Sequence, residues 1–552
     1  QSWVAVGSPG RSPYRLYAAS NAGSLAGLLS YPFLVEPLLS LGRQSRVWSW
    51  GYALFCVLCA VTATGQLARA PSTAEPSPEA PRTEAIGAST IWLWLGLAAA
   101  GTTLLFAVTN ELTLNVAAVP FLWVLPLSLY LASFILCFES DRWYLRRWWF
   151  PAMAVGLVGI TLVGARPGEL SLTTQIVVYS LGLFACCMVC HGELARLRPE
   201  PARLTTFYLV LALGGALGGV FVSALAPVVF SDVFELPVGL GGALLLALTA
   251  ARRDASTPLF TIPRHRFRLI FGSLLVALGA LPVLGAWKDQ RAGVLSARNF
   301  YGTIKVREER PAGLPARRVM AHGATRHGIQ LLDPAHSRDG TGYYAENAGG
   351  GLAIESAPEG RPRRVGLIGL GVGTLATYGR PGDLYRFYEI NPLVVEVAQQ
   401  RFSYLKDSRA NVEVVVDDAR LALEREPPNR FDVLVADAFS GDSVPAHLLT
   451  VEAFRLYFRH LGDGAVLAVH ASNHYLDLVS LVRSTARSLG KASVVVRTQG
   501  DDAAGVLPAE WVLVANDPKR LRITGLDAAR AEPDSFVAPW TDDYGSLFSI
   551  VR

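Results

Sequence analysis

The sequence predicts a multi-pass α-helical membrane domain followed by an α/β domain built on a parallel, doubly wound sheet. Three observations carry this. Long apolar runs fill the chain up to about residue 287 and then stop. After about residue 295, short apolar segments alternate with helix-length amphipathic ones. The 552-residue chain is 51% hydrophobic and 17% charged, an average that hides these two regimes and exceeds one domain. The expected divisions are 1–290 for the membrane domain, 295–355 for a small β-strand region, and 356–552 for the α/β domain.

An apolar run of about twenty residues can cross the hydrocarbon core. Nine candidate spans centre on 18–41, 48–67, 91–112, 117–138, 149–165, 172–191, 204–230, 234–251 and 268–287. Between the second and third lies "ARAPSTAEPSPEAPRTEA", a Pro/Ala/Glu-rich connector that reads as a loop. Arginines gather in alternate loops: Arg69 and Arg82; Arg146 and Arg147; Arg196, Arg198 and Arg203; Arg252, Arg253, Arg264, Arg266 and Arg268. Alternating spans put all of these on one face, the cytoplasmic one by the positive-inside rule. Nine full spans then leave the α/β domain outside, whereas a nucleotide-type cofactor is available inside. Cofactor supply decides the expectation: a multi-pass protein of the cell (inner) membrane with its α/β domain in the cytoplasm. Either the last run, 268–287, would then lie along the membrane or only dip into it, or the spans number one fewer or one more than nine.

The net charge of +5 is modest and sits in these loops, which argues for membrane orientation and against nucleic-acid binding. All six cysteines lie in apolar runs, so no disulfide framework is expected. Cys186, Cys187 and Cys190 read as small packing residues rather than metal ligands, and no metal is expected. Glu36 between Pro32 and Pro37, Asn110, Glu111, His191 and Glu193 are polar residues near membrane depth. Such groups mark a pathway or site, or else sit at helix ends near headgroups. The glycines of "GGALGG" (214–219) permit close helix packing. The chain begins at Gln1 with no signal peptide evident, so a longer reading frame is expected.

In the α/β part, "RRVGLIGLG", "LYRFYEI", "NVEVVV", "FDVLVA" and "GAVLAVH" read as strands. "NPLVVEVAQQRF", "ARLALERE" and "TVEAFRLYFRHL" read as the helices between them, the last capped by Thr450. This alternation argues for parallel crossovers. Ligands bind such sheets at the carboxyl ends of the strands.

The residues at those ends carry the chemistry. Gly369, Gly371 and Gly373 follow the first strand, where glycines let the backbone approach a ligand closely. Glu389 ends the second strand, twenty positions after Gly369, and can accept both hydroxyls of a ribose. The spacing G-x-G-x-G, with Thr374 next, favours an adenosyl-sulfonium cofactor over NAD. Asp417 and Asp418 follow the third strand, where an acid can meet an adenine amino group or merely close a turn. Asp437 ends the fourth strand and Asp442 follows in its loop. A carboxylate there can take a proton from an attacking amine. Asp442 equally fits a cap of the next helix.

"GLIGLGVG", "YEINPLVVEVA", "VVVDDARLAL" and "VADAFSGDSVPAHLLTVEAF" together resemble the spermidine synthase family of aminopropyltransferases, and more closely its membrane-fused bacterial branch. "RNFYGTIKV", "HGIQ" and Tyr344-Ala345-Glu346 extend the likeness upstream, and "AASNAGSLAGLLSYPFLVEPL" and "MVCHGELARLRP" extend it into the apolar half. The resemblance implies a Rossmann-like, methyltransferase-type fold. It also implies a reaction in which decarboxylated S-adenosylmethionine gives an aminopropyl group to putrescine or a related amine, leaving methylthioadenosine. By motif, Gly369, Gly371, Gly373 and Gln330 would line the donor. Glu389 would hold its ribose, with Asp418, beside Asp417, at its adenine. Asp437 would be the catalytic acid-base group. Tyr344, Glu346 and Asp442 would hold the amine. Soluble members pair as dimers, so a homodimer is an implied partner beside the lipid bilayer.

The chain departs from the family pattern at Val372, where the family's G-G-G-D-G has an Asp for the donor's free amine. The family's strand Gln falls near Gly302, and Ala345 stands between Tyr344 and Glu346. Asp542 and Asp543 are candidates to replace the missing acid, or else form a surface turn. Two other readings stay open: an S-adenosylmethionine-dependent methyltransferase on the same fold, and a polyamine transporter or binding protein with a degenerate enzyme domain.

Overall fold

Seven helices among the described residues are long and apolar enough to cross a membrane. The computed structural model describes residues 14–67, 86–115, 120–164, 170–253, parts of 272–285, and 293–552 without 324, 359, 439–444, 474–475 and 523–536. The first helix, α1 (Tyr14–Ser30), is followed by a π-helical stretch at Tyr31–Val35 that carries Pro32, and the chain turns at Leu39. A proline removes a backbone donor, which loosens the helix there. Then come α2 (Leu41–Leu67), α3 (Ala88–Asn115), α4 (Pro120–Glu139), α5 (Arg146–Gly164), α6 (Leu172–Arg196), α7 (Leu204–Val220, continuing to Val229) and α8 (Glu235–Arg253). The ninth expected span, 268–287, lies largely outside the described residues.

Helix α3 packs against α4, α6, α7 and α8. Gly214 and Gly218 permit the contact with α7: a Cβ on either would lie 2.4 Å from a backbone oxygen of α3, Leu95 or Ala99. Small residues one turn apart let two helix backbones touch. Helix α2 is apolar all round and packs little, with Trp48 and Trp50 exposed, as expected of a surface facing lipid. Glu193, in the last turn of α6, is fully buried. Its carboxylate takes bonds from Arg146 at 2.6 and 2.5 Å and from the Tyr144 hydroxyl at 2.6 Å. His191 is buried too, with Nδ1 2.9 Å from Ser133 Oγ.

The two ends of the bundle differ. At one end Arg142, Arg146, Arg196, Arg198 and Arg253 gather where α4, α6 and α8 finish and α5 begins. The other end meets the β-rich half of the chain. Arg298 forms a two-pronged ion pair with Glu235 at the start of α8, at 2.8 and 3.0 Å, and Lys305 pairs with Asp232 at 2.5 Å. Asp543 accepts from the Gly42 amide at 2.7 Å, and the Tyr544 hydroxyl donates to Pro37 O. Asp542 pairs with Arg420. The two C-terminal acids therefore tie the last segment in place and do not enter a donor site.

Strands β1 (Leu295–Asn299), β2 (Gly302–Glu309), β3 (Arg317–His322) and β4 (Thr325–Leu331) form an antiparallel meander. A second sheet holds β5 (Arg364–Ile368), β6 (Leu384–Tyr388), β7 (Asn411–Val415), β8 (Phe431–Ala436), β9 (Leu461–His470), β10 (Ala492–Thr498) and β11 (Ala509–Ala515). Its order is β10-β11-β9-β8-β5-β6-β7. Strands β5 to β9 are parallel, as the alternation predicts. The sheet as a whole is mixed, because β11 and β10 add on antiparallel beside β9. The strand order reverses between β5 and β8, which opens a crevice at their carboxyl ends.

Candidate active site

The crevice begins at the glycine turn after β5. Gly369 has φ +96°, and a Cβ there would lie 2.2 Å from the carbonyl oxygen of Asp437. Only glycine lets the β5 and β8 ends come this close. Glu389, just past β6, folds back over the turn and accepts from the amides of Leu370 at 3.1 Å and Asn391 at 2.9 Å. Burial raises its carboxyl above the ordinary range, and these backbone donors offset part of the rise. Asp418, after β7, caps the helix Ala419–Arg425 through the Leu421 amide and faces His447 Nε2 at 3.3 Å. Gly369, Gly371, Glu389, Asp418 and Asp437 line one cavity of about 250 Å³, roofed by His322, His327 and Tyr344 of the β-rich region.

Asp437 is where the two central strands deliver a matched pair. The register sets Ala436 of β8 beside Val469 of β9, so Asp437 falls beside His470. Asp437 Oδ1 and His470 Nδ1 are 2.8 Å apart, with side chains 10% and 5% exposed. The Tyr344 hydroxyl also donates to Asp437. Burial alone would raise the Asp437 carboxyl, but the charge and hydrogen bond of His470, with Tyr344, hold it below the usual carboxylate range. His470 stacks on Trp511 at 4.7 Å, and its Nε2 lies 2.8 Å from Ser472 Oγ. His327, buried at Nε2 with no hydrogen-bond partner there among the described residues, completes the wall. Burial first, and His322 second, push its imidazole down to about 4.

On the far side of Asp437 opens a second cavity of about 750 Å³ that includes His470, Ser472, Asn473, Arg497 and Glu510. Asp437, His327 and Tyr344 line both cavities and form the partition between them.

The structure gathers Gly369, Gly371, Glu389, Asp418, Asp437 and Tyr344 around one cavity. It does not gather the rest. Gly373 lines neither cavity and packs against Leu405. Asp417 turns out to Arg425 at 3.0 Å. Gln330 is buried and spent on Ser337 O and Ser403 at 2.9 and 2.8 Å, so it pins a loop rather than a donor. Glu346 is exposed and lines neither cavity. Asp442 lies outside the described residues. Val372 is fully buried under the β3–β4 hairpin: a Cβ on Gly328 would overlap its side chain at 2.3 Å. His327, His470 and Ser472 went unread. The signal for His470 was available, since "GAVLAVH" ends the fifth parallel strand at the ligand-binding edge.

No family model matches the chain. A stretch of 120 residues is 33% identical to the polyamine aminopropyltransferase of Vibrio vulnificus, covering 20% of this chain and 38% of that protein. Another alignment, of 133 residues, is 32% identical to the N-terminal histidine N-methyltransferase of Emericella nidulans, covering 22% of this chain and 21% of that protein. The chain therefore spans well under half the length of either curated relative. Among solved structures, a probable spermidine synthase from Corynebacterium glutamicum matches over 39% of this chain and 77% of its own, at 19% identity and a TM-score of 0.31.

Proposed function

We propose, on the premise that this chain is spermidine synthase-like, that it is a membrane-bound aminopropyltransferase. Decarboxylated S-adenosylmethionine would occupy the smaller cavity, its ribose at Glu389 and its adenine toward Asp418. The amine, putrescine or a related one, would enter from the larger cavity. The observation that carries the reading is Asp437, a nearly buried carboxylate 2.8 Å from His470, set in the partition between the two spaces. An amine arriving there loses a proton to the Asp437–His470 pair as its nitrogen attacks the propyl carbon next to sulfur. The carbon–sulfur bond breaks, its electron pair stays on sulfur, and neutral methylthioadenosine leaves. The N-alkylated amine is the other product.

Asp437→Asn should lower methylthioadenosine release by about 10² or more, the usual worth of a positioned base. Donor affinity, measured by calorimetry on the purified protein, should stay within a few-fold. Undiminished turnover would remove Asp437 from the chemistry.

One observation favours a second reading, a methyltransferase using S-adenosylmethionine. Val372 is sealed under the hairpin, and no described acid replaces the family's Asp at that point. The donor's free amine then lacks its expected partner among the described residues.

A further inference from the structure

The larger cavity is not built for a simple diamine. Its inner end holds Asp437, but its outer end is arginine-rich. Contacts run outward from the partition without a break. Asp437 meets His470, and His470 Nε2 meets Ser472 Oγ at 2.8 Å. Ser472 Oγ accepts from the Glu510 amide at 2.7 Å. The Glu510 carboxylate, cross-strand neighbour of Arg497, receives Arg497 Nε and Arg552 Nη2, each at 2.8 Å. Two guanidinium groups thus meet one carboxylate at the outer end, and a third arginine, Arg326 of β4, lines the same cavity. The acid that the family pattern assigns to the amine there, Glu346, is exposed elsewhere.

A diamine seated with one nitrogen at Asp437 would push its second ammonium towards this positive end. Like charges in a partly desolvated pocket select against such a ligand. Guanidinium groups instead suit carboxylates and phosphates, which they bind through paired donors. We infer that the acceptor carries an anionic group beside its reacting amine, with the amine at Asp437 and the anion at Arg497, Arg552 and Arg326. This rests on the group-transfer reading above and narrows its acceptor to an acid-bearing amine.

The test uses the purified full chain, with methylthioadenosine filling the donor cavity. Equilibrium binding is compared for putrescine and for ornithine, which is putrescine with a carboxylate on one end carbon. Ornithine should bind at least tenfold tighter. Arg497→Ala should weaken ornithine and strengthen putrescine, because it removes a positive charge and frees Glu510. Arg497→Lys should restore part of the ornithine preference. General damage to the fold would weaken both ligands together, so opposite shifts identify a charge effect. Equal affinities, or tighter putrescine, would overturn the inference. Binding is read without turnover. Preference for ornithine with no methylthioadenosine formed from decarboxylated S-adenosylmethionine would therefore keep the anionic subsite and reject the transferase reading.

Discussion

Asp437 combines two properties that oppose each other in isolation, burial and ionisation. A carboxylate removed from water protonates unless something compensates, and His470 and Tyr344 supply that compensation here. The neighbouring His327 is the reverse case, an imidazole kept neutral because burial dominates and His322 adds to it. That difference has a consequence for stability. The folded value of His327, about 4, lies below the value near 6.5 of an unfolded histidine. Its contribution is therefore present above about pH 6.5 and is lost as pH falls towards 4. His327→Gln should flatten this part of the acid loss. Thermal unfolding in detergent, followed from pH 7 to pH 4.5, should show the variant losing less stability than the parent. Parallel curves would mean that His327 titrates normally.

At the scale of elements, the site is the meeting of two strand ends, one glycine turn and one hairpin. Much of this was legible. The apolar runs of β5, β6, β7 and β8 are short and bounded by polar residues, so strands and their carboxyl ends could be located, and with them Gly369, Glu389, Asp418 and Asp437. The outer cavity was not legible, because it depends on which strands pair. Ser472, Arg497 and Glu510 come together only when β11 inserts antiparallel between β9 and β10. Periodicity does not report that pairing. Gln330 and Glu346 were placed by motif likeness, which fixes position along the chain but not the direction a side chain takes. Val372 shows the same limit from the other side. It stands where the family pattern has an acid, yet it fills the seam between the glycine turn and the hairpin with Ile304, Val306 and Met320. Val372→Asp should therefore not improve donor binding. It should destabilise the protein by roughly 3 kcal/mol or more, the scale of burying an uncompensated charge. A stable variant with tighter donor binding would show that the seam opens to the donor.

At the scale of the whole molecule, the arginine-rich helix ends and the docked α/β domain lie at opposite ends of the bundle. Arg298–Glu235 and Lys305–Asp232 fix the second of these ends. The positive-inside rule assigns the arginine end to the cytoplasm. On that rule alone the crevice would face the other side of the membrane, whereas cofactor supply puts it in the cytoplasm, and thiol labelling decides between the two. The chain's cysteines all lie in its apolar half, so a single introduced thiol makes a clean reporter. Asp502→Cys, on an exposed turn of the α/β domain, should react with a membrane-impermeant maleimide in intact cells. Glu200→Cys, between α6 and α7, should react only after lysis. The opposite pattern would put the crevice in the cytoplasm and make these loops an exception to the rule.

Group transfer itself is tested most directly away from the membrane, where orientation does not matter. Purified protein is given decarboxylated S-adenosylmethionine with putrescine or ornithine, and in parallel S-adenosylmethionine with the same amines, and all products are read by mass spectrometry. The account predicts methylthioadenosine together with an amine heavier by one aminopropyl group, from the decarboxylated donor only. S-adenosylhomocysteine with a methylated product, and no methylthioadenosine, would contradict it.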